Sequence, residues 1–244
     1  MTVLRAFDPD DHGLMFGDLQ ARTGLPKATL HRVLADLVTS GLLDREQPMG
    51  GYVLGRYLFE LGMRASVERT LLEVATPFLE DLYERTHETV HLGVREGREV
   101  VYVAKMGGHR QAATPSRLGG RMPLHATAIG KALLAYAPAE LRSEILGARL
   151  RRCAPSTITA PGLLAKQLAA VVESGVSFEF EESAVGVVCV GSPILDPLGH
   201  AVAAVSVAGP ALRFEPRRHA ASVHAAAAGI AATLARRQAL LPPS

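Results

Sequence analysis

The sequence predicts an α+β protein in which a small helical segment precedes a larger domain built on an antiparallel sheet. In the first 66 or so residues, apolar side chains recur at helical spacing, and only one short hairpin interrupts them. From about Leu71 onward, strands joined by tight turns alternate with helices. The chain has 244 residues, 48% hydrophobic and 20% charged, which is enough to bury a core of this kind.

Composition narrows the class of protein. The net charge is only +2, so any nucleic-acid contact must come from a local basic patch. The start "MTVLRAFDPDD" lacks the charged and apolar regions of an export signal, and two cysteines, Cys153 and Cys189, suit a reducing compartment. The apolar run "AASVHAAAAGIAATLA" is mostly alanine and contains His224, which favours a soluble helix over a membrane span. We therefore expect a cytoplasmic protein without a membrane partner.

The elements of the first segment follow one another closely. The stretch "FGDLQARTGL" predicts a helix that ends at Gly24. After Pro26, "KATLHRVLADLVTSGLL" predicts a second helix that stops at Gly41, with one apolar face made of Leu30, Val33, Leu34, Leu37 and Val38. A hairpin follows in "DREQPMGGYVLG", with Pro48 and Gly50-Gly51 in its turn, and the helix "RYLFELGMRASVER" leads away from it.

Positive charge is concentrated between these two helices. The stretch "RTGLPKATLHR" carries three basic residues and no acid, whereas the first 66 residues together hold seven Lys/Arg and eight Asp/Glu. A helix, a short turn and a second helix form a helix-turn-helix, which places the second helix in the major groove, and the hairpin would be a wing against phosphates. The alternative is a small bundle whose charges are only solvated. The candidate contacts to double-stranded operator DNA are Arg22, Thr23, Lys27, Thr29, His31, Arg32, Arg45 and Tyr52.

The second segment predicts a sheet flanked by helices. An amphipathic helix, "LLEVATPFLEDLYERT", precedes the hairpin "TVHLGVREGREVVYVAKM", which turns at Glu96-Gly97. Two helices, "ATAIGKALLAY" and "PGLLAKQLAAVVESG", lead to the strand "VSFEFEE" and to a second hairpin, "GVVCVGSPILDPLGHAVAAVSVAGP". A long alanine-rich helix ends the chain.

The stretch "HETVH", from His87 to His91, matches the H-E-x-x-H pattern of zinc hydrolases. That pattern binds zinc on a helix, where residues four apart lie about 5–6 Å apart at Cβ. The alternation Val90-Leu92-Val94 instead predicts a strand, on which the two histidines would lie roughly 13 Å apart. We therefore expect no metal here, with His87 ending the preceding helix and His91 facing solvent or a pocket.

Other catalytic patterns are absent from the sequence. There is no Gly-x-Ser-x-Gly elbow, and the glycines and lysine of "GRMPLHATAIGKA" lack P-loop spacing, so we expect no catalytic residue and no cofactor. Cys189 lies mid-strand between valines, where a buried structural thiol is more typical than a redox sensor. His125 suits either packing or a ligand contact.

Several motifs, in order and at matching spacings, resemble the isocitrate-lyase-regulator (IclR) family of bacterial transcription factors. They are "ARTGLPKATLHRVLADLVTSGLL", "YVLGRYLFELG", "ETVHLGVREGREVVYVAK", "RMPLHATAIGKALLA" and "EESAVGVVCVGSPILDPLGHAVAAVSVAGP". The resemblance implies a winged helix-turn-helix over residues 1–55, a linker helix over 56–70 and a GAF-like effector domain over 71–241. It also implies a homodimer or a dimer of dimers.

The resemblance also implies an effector pocket between the sheet and "RMPLHATAIGKALLA". Its lining here would be Met122, Ala128, Ile129, Glu179, Val187, Cys189 and Ser206. A helix that begins near Ala126-Thr127 offers free N–H groups that suit the carboxylate of a small organic acid. Glu179 stands where the family commonly has aspartate, which predicts a slightly smaller pocket, and Gly191-Ser192 replaces the usual pair of alanines.

We therefore expect a ligand-responsive, DNA-binding transcriptional regulator without enzymatic activity. An enzyme would need a catalytic constellation in the second half of the chain, and the sequence presents none. One alternative is an enzyme with an appended winged helix. The other is a winged-helix protein whose second domain mediates protein interaction or oligomerisation without a small-molecule effector. Ligand-induced thermal stabilisation separates a sensor from the interaction module.

Overall fold

The computed structural model describes residues 1–8, 11–46, 50–64, 66–107 and 111–240, and only the backbone of residues 63 and 66–69. The chain divides into two compact units, Met1–Arg69 and Thr70–Ser244. In the described ranges, no helix has the length and apolar character needed to cross a membrane.

The first unit is a helix-turn-helix followed by a hairpin. Helix α1 (Phe16–Thr23) ends at Gly24, whose φ of 67° is the left-handed conformation typical of glycine at a helix end. Helix α2 (Lys27–Thr39) begins directly after Pro26. The core of the unit consists of Val3, Leu14, Leu19, Leu30, Leu34, Leu43 and Tyr52.

The hairpin lies against the two helices. Strands β1 (Leu43–Arg45) and β2 (Tyr52–Leu54) pair antiparallel, and the backbone of Leu14 bonds to that of Tyr52 from the other side. The predicted turn residue Pro48 lies outside the described residues, while Gly50 has a φ of 74°. Helix α3 (Arg56–Arg64) follows. The expected order of helix, helix and winged hairpin is confirmed.

Among the described residues, the second unit contains a six-stranded sheet, four complete α-helices and all but the first residues of a fifth. The helices are α4 (Ser66–Thr86), α5 (Ala128–Ala135), α6 (Ala139–Gly147), α7 (Pro161–Ser174) and α8 (Pro216–Leu240). The strands are β3 (Thr89–Glu96), β4 (Glu99–Met106), β5 (Arg121–Pro123), β6 (Ser177–Phe180), β7 (Val187–Leu195) and β8 (Ala201–Pro210). All neighbouring strands are antiparallel, in the order β5-β4-β3-β8-β7-β6.

Both faces of this sheet are covered. One face packs against α4 and α8, where Val90, Leu92, Val190, Val205 and Val207 meet residues such as Leu79, Leu82, Val223 and Ile230. The opposite face packs against α5 to α7 through Val100, Tyr102, Ile129, Leu133, Leu164 and Leu168. Because strand residues alternate between faces, the residues between those valines point toward α5.

The structure adds two elements to the predicted ones. Strand β5 and helix α6 were not predicted: β5 has only three residues, too few to show alternation, and α6 buries only Ile145. The expected linker over 56–70 contains α3, which ends at Arg64, and the first residues of α4, which begins at Ser66. The bounds of the DNA-binding, linking and effector parts stay a prediction.

The H-E-x-x-H stretch does not lie on one helix. Helix α4 ends at Thr86, His87 adopts a left-handed φ of 51°, and Thr89 begins β3. The predicted strand is confirmed. Within the described part of the chain, no group of three or more His, Cys, Asp or Glu side chains is placed to hold a metal ion.

Gly130 is required by the close approach of α5 to the segment before it. A Cβ at this position would lie 2.2 Å from the carbonyl oxygen of Leu124 and 2.6 Å from Oγ1 of Thr127. We predict that Gly130→Ala lowers the free energy of unfolding by about 1–3 kcal/mol, because backbone atoms must move. Gly162→Ala in α7 is the matched control, since its Cβ would meet nothing within 4 Å. Equal urea midpoints for the two variants would contradict this packing.

Candidate effector cavity and DNA interface

A cavity lies between the sheet and the start of α5. Strand alternation builds its floor, because Cys189 on β7 and Ser206 on β8 lie between valines that face the opposite core. The sheet register then brings side chains from different strands together: Glu179 pairs with Cys189, and His91 pairs with Ser206. The complete lining is His91, Tyr102, Thr114, Pro115, Ser116, Met122, Thr127, Ala128, Ile129, Glu179, Ser183, Val187, Cys189, Ser206 and Ala208.

The first turn of α5 forms the wall opposite the sheet. Thr127 is the N-cap residue, and its hydroxyl oxygen accepts the N–H of Gly130 at 2.9 Å. The N–H groups of Ala128 and Ile129 precede the first intrahelical hydrogen bond, which Lys131 donates to the carbonyl of Thr127. Since both residues line the cavity, the positive end of the helix dipole is directed at it.

Glu179 is the acidic group of the cavity and is fully buried, with 0% exposure. Its Oε1 accepts the N–H groups of Glu182 at 2.6 Å and Ser183 at 3.0 Å. Its Oε2 has no hydrogen-bond partner among the described residues. Burial raises the pKa of Glu179 above its ordinary value, while the two amides and the neighbouring Cys189 thiol oppose that shift and the charge of Glu182 adds to it.

The other titratable groups at the cavity are held neutral. Burial, with the nearby carboxyl of Glu179, raises the pKa of Cys189 well above its usual value. Burial likewise raises the pKa of Tyr102. Burial and the positive charge of Lys105 lower the pKa of His91 to about 3. The cavity therefore offers neutral hydrogen-bonding groups at ordinary pH, apart from Glu179.

A segment between β4 and β5 covers one side of the cavity. The hydroxyl of Ser116 lies 2.7 Å from Nε2 of His91, inside the lining. Lys105 donates to Oγ1 of Thr114 at 2.9 Å and to the carbonyl of Ser116 at 2.6 Å. These bonds fix the segment over a cavity of only about 20 Å³. Typical ligand sites are far larger, about 300–1,000 Å³, so a ligand must be small or must displace part of the lining.

The helix-turn-helix exposes one basic side of α2. Lys27, His31 and Arg32 are exposed, and Thr29 is half-buried. Leu30 and Leu34 of the same helix are buried in the core. Neither Lys27 nor Arg32 forms an ion pair with any residue that the structure describes. A groove beside the helix is lined by His31, Leu34, Ala35, Val38, Thr39, Arg45 and Tyr52, so α2 and the hairpin share a surface.

Tyr52 lies on the return strand β2, as expected, with its side chain in the core of the unit. Its side chain is only 3% exposed, and its hydroxyl accepts a hydrogen bond from Arg45 at 2.7 Å. The guanidinium of Arg45 also lies 5.0 Å from the centre of the Tyr52 ring, within cation–π distance. Tyr52 is therefore placed to orient Arg45, and a direct contact between Tyr52 and DNA stays a prediction.

Arg22 and Thr23 are likewise engaged within the protein. Arg22 forms a two-pronged pair with Asp11, at 2.5 and 3.0 Å, and donates to the carbonyl of Ala6 at 2.8 Å. The hydroxyl of Thr23 donates to the carbonyl of Leu19 at 2.6 Å. Arg22 therefore ties the N-terminal segment to α1, and Thr23 completes the end of that helix. The expected DNA contacts of both residues stay predictions.

Models of two protein families match the chain. The "IclR helix-turn-helix domain" matches residues 1–47, and the "Bacterial transcriptional regulator IclR C-terminal" domain matches residues 63–234. The chain belongs to the IclR family of bacterial transcriptional regulators. The winged helix-turn-helix and the sheet domain are thereby the two parts expected of such a DNA-binding regulator.

Several bacterial transcriptional regulators are similar to this chain along most of their length. The transcriptional regulator XynR of Escherichia coli is 35% identical over 208 residues, which is 85% of this chain and 82% of XynR. The regulator KdgR of the same bacterium is 34% identical over 221 residues, or 89% of this chain and 84% of KdgR. The transcriptional repressor AllR of E. coli is 32% identical over 219 residues, which is 89% of this chain and 81% of AllR.

Solved structures of IclR-family proteins have the same fold. An IclR homologue from Microbacterium hydrocarbonoxydans, crystallised with 4-hydroxybenzoate, superposes with a TM-score of 0.90 at 32% identity, covering 97% of each chain. The IclR of Thermotoga maritima superposes with a TM-score of 0.78 at 29% identity, covering 96% of each chain.

All seven residues expected at the pocket line the cavity beside α5: Met122, Ala128, Ile129, Glu179, Val187, Cys189 and Ser206. His125 is not among the lining residues, and its Nε2 lies 2.9 Å from the carbonyl of Arg151, which makes it a packing residue. Sequence reasoning missed Tyr102 and the covering residues Thr114–Ser116. The alternation of β4 could have placed Tyr102 on the face of the sheet that packs against α5. No local pattern in the sequence marks the covering segment.

The buried carboxyl predicts a pH-dependent stability. Because the pKa of Glu179 is raised in the folded protein, its contribution favours the folded state at low pH. That contribution is lost as pH rises from the ordinary glutamate value, about 4.3, to the raised folded value. We predict that Glu179→Gln becomes progressively more stable than the parent protein across this interval, measured as the difference in melting temperature.

The control for this prediction is Glu173→Gln, which removes an exposed carboxylate from α7. Its melting temperature should follow that of the parent protein at every pH. A difference between Glu179→Gln and the parent that stays constant with pH would mean that the buried carboxyl is not perturbed.

Proposed function

We propose that this IclR-family regulator binds a small organic anion in the cavity and that binding changes its affinity for operator DNA. The observation that carries the proposal is the convergence of the α5 N-terminus, Ser206 and an apolar wall on one enclosed site. Free helix N–H groups favour a carboxylate, and Ser206 supplies a further donor. Met122, Ile129 and Val187 exclude water, which strengthens both interactions. The related protein crystallised with 4-hydroxybenzoate supports an organic acid as the ligand class.

The two units would bind operator DNA and ligand, respectively. Operator DNA would contact Lys27, Thr29, His31, Arg32 and Arg45, and a homodimer or dimer of dimers would present two recognition helices. Coupling between ligand and operator is reciprocal in free energy. We propose regulation of a catabolic pathway in the cytoplasm, without enzymatic activity, with residues 1–55, 56–70 and 71–241 as the DNA-binding, linking and effector parts.

The alternative is a second domain that serves only interaction or oligomerisation. The small volume of the cavity, about 20 Å³, is the observation in its favour. A small carboxylate that raises the melting temperature in a concentration-dependent way supports a sensor, because a ligand stabilises only the state that binds it.

We predict that Lys27→Ala with Arg32→Ala weakens operator binding and leaves the fold unchanged. Each contact to a base edge is worth about 1–3 kcal/mol, and each phosphate contact about one unit of salt-dependence slope. The operator is first found by selecting bound genomic fragments, and affinity is then measured by anisotropy at several salt concentrations.

The matched control is Lys166→Ala with Arg236→Ala, which removes the same charge from exposed positions of α7 and α8. This pair should retain the affinity of the parent protein. If the α2 variant binds the operator as tightly as the control, α2 is not the recognition helix.

We predict that Ala128→Phe abolishes the response to the effector and retains operator binding. Ala128 is 1% exposed at the cavity, so the added ring fills the site. Calorimetry with a panel of small carboxylates, including 4-hydroxybenzoate, measures binding. Ala165→Phe, on the exposed side of α7, controls for the added bulk.

The milder variant Ser206→Ala removes one donor without adding volume, and it should weaken ligand binding while keeping the parent melting temperature. Unchanged ligand affinity in both Ala128→Phe and Ser206→Ala would place the ligand elsewhere.

A further inference from the structure

The unexplained group in the cavity is the second oxygen of Glu179. The carboxyl is fully buried, and the main-chain amides of Glu182 and Ser183 are already directed at Oε1. Oε2 belongs to a residue of the cavity lining and has no partner within the described chain. A buried polar atom without a partner is costly, so this oxygen is available to a molecule that enters the cavity.

An ionised Glu179 would repel a bound anion, because the cavity lining, as far as the structure describes it, supplies no positive side chain to offset the two charges. The described lining residues include no lysine or arginine. The nearest ammonium groups are engaged elsewhere: Lys131 pairs with Glu182 at 2.6 Å and bonds to Gln167 at 2.8 Å, and Lys105 holds the covering segment. A ligand carboxylate beside an ionised Glu179 would therefore be a like-charge pair in a water-poor site.

Two carboxyl groups in one site resolve this conflict by sharing a proton. A protonated Oε2 becomes a hydrogen-bond donor on a residue that lines the cavity, and the N–H groups at the start of α5 can bind the second oxygen of the ligand carboxylate. We propose that Glu179 donates its Oε2–H to the carboxylate of the ligand, so that each anion enters together with one proton from solvent. This inference rests on the proposed function, and it makes Glu179 the residue that couples ligand binding to pH.

The other groups that face Glu179 do not supply this proton. His91 on β3 has a pKa of about 3 and stays neutral. Burial raises the pKa of both Tyr102 on β4 and Cys189 on β7, so each keeps its own proton. The Lys131–Glu182 pair, contributed by α5 and the turn after β6, is internally balanced. Glu179, whose pKa burial raises, is the cavity group positioned to change charge.

The test measures ligand affinity as a function of pH. The probes are benzoate, 4-hydroxybenzoate, acetate and lactate, and the tightest binder is used with the full-length protein. Between about pH 5 and about pH 9, the dissociation constant should be constant below the ligand-free pKa of Glu179 and rise about tenfold per pH unit above it. Calorimetry on the rising limb, in two buffers of different ionisation enthalpy, should show uptake of about one proton per ligand.

Two variants make the assignment specific. Glu179→Gln keeps a donor at the position of Oε2 without a titratable proton, so it should bind with a dissociation constant that is independent of pH and with no proton uptake. Glu173→Gln, an exposed carboxylate on α7, should reproduce the pH dependence of the parent protein.

The outcomes separate the two proposals. Monocarboxylate binding to the parent protein without proton uptake at any pH overturns this inference and leaves the proposed function standing. A pH dependence that persists in Glu179→Gln assigns the proton to another group and also overturns it. If none of the probes binds the parent protein, the proposed function and this inference both fall.

Discussion

A buried ion pair positions the two opposing walls of the cavity. Lys131 of α5 and Glu182, in the turn after β6, lie 2.6 Å apart with side chains 1% and 3% exposed. The N–H of Glu182 then binds the carboxylate of Glu179, and its carbonyl accepts the hydroxyl of Thr157 at 2.7 Å. Removing one partner of such a pair leaves a buried charge uncompensated, which is far more costly than losing a surface pair. The geometry of α5 and Glu179 therefore depends on this contact.

The surrounding sheet explains why a polar cavity is tolerated inside the domain. On one face the valines of β3, β7 and β8 form a continuous apolar core with α4 and α8. On the other face the small or polar residues between those valines leave space under the first turn of α5. Because apolar cores cover the first face and much of the second, the second face can also carry His91, Cys189 and Ser206.

Local patterns predicted the elements and the sides of the strands, because helix and strand periodicity depend on neighbouring residues. Val90 and Leu92 were correctly placed opposite His91, and the motif match brought Cys189 and Ser206 to one site. Pairings between distant residues leave no such pattern. The sequence places Arg22 and Lys27 in one basic stretch, but it does not reveal the hydrogen bond between Arg22 and Asp11. It likewise places Lys131 in a helix without revealing that Lys131 pairs with Glu182, 51 residues later.

Binding of a carboxylate between the start of α5 and Glu179 is tested most directly by a crystal structure with a bound monocarboxylate. The carboxylate should lie within hydrogen-bond distance of the N–H of Ala128 or Ile129 and of Oε2 of Glu179. A purely electrostatic preference would instead place the anion in the crevice that contains Arg149, Arg151 and Arg152. Density for the ligand there, with the cavity beside Glu179 unchanged, would contradict the account.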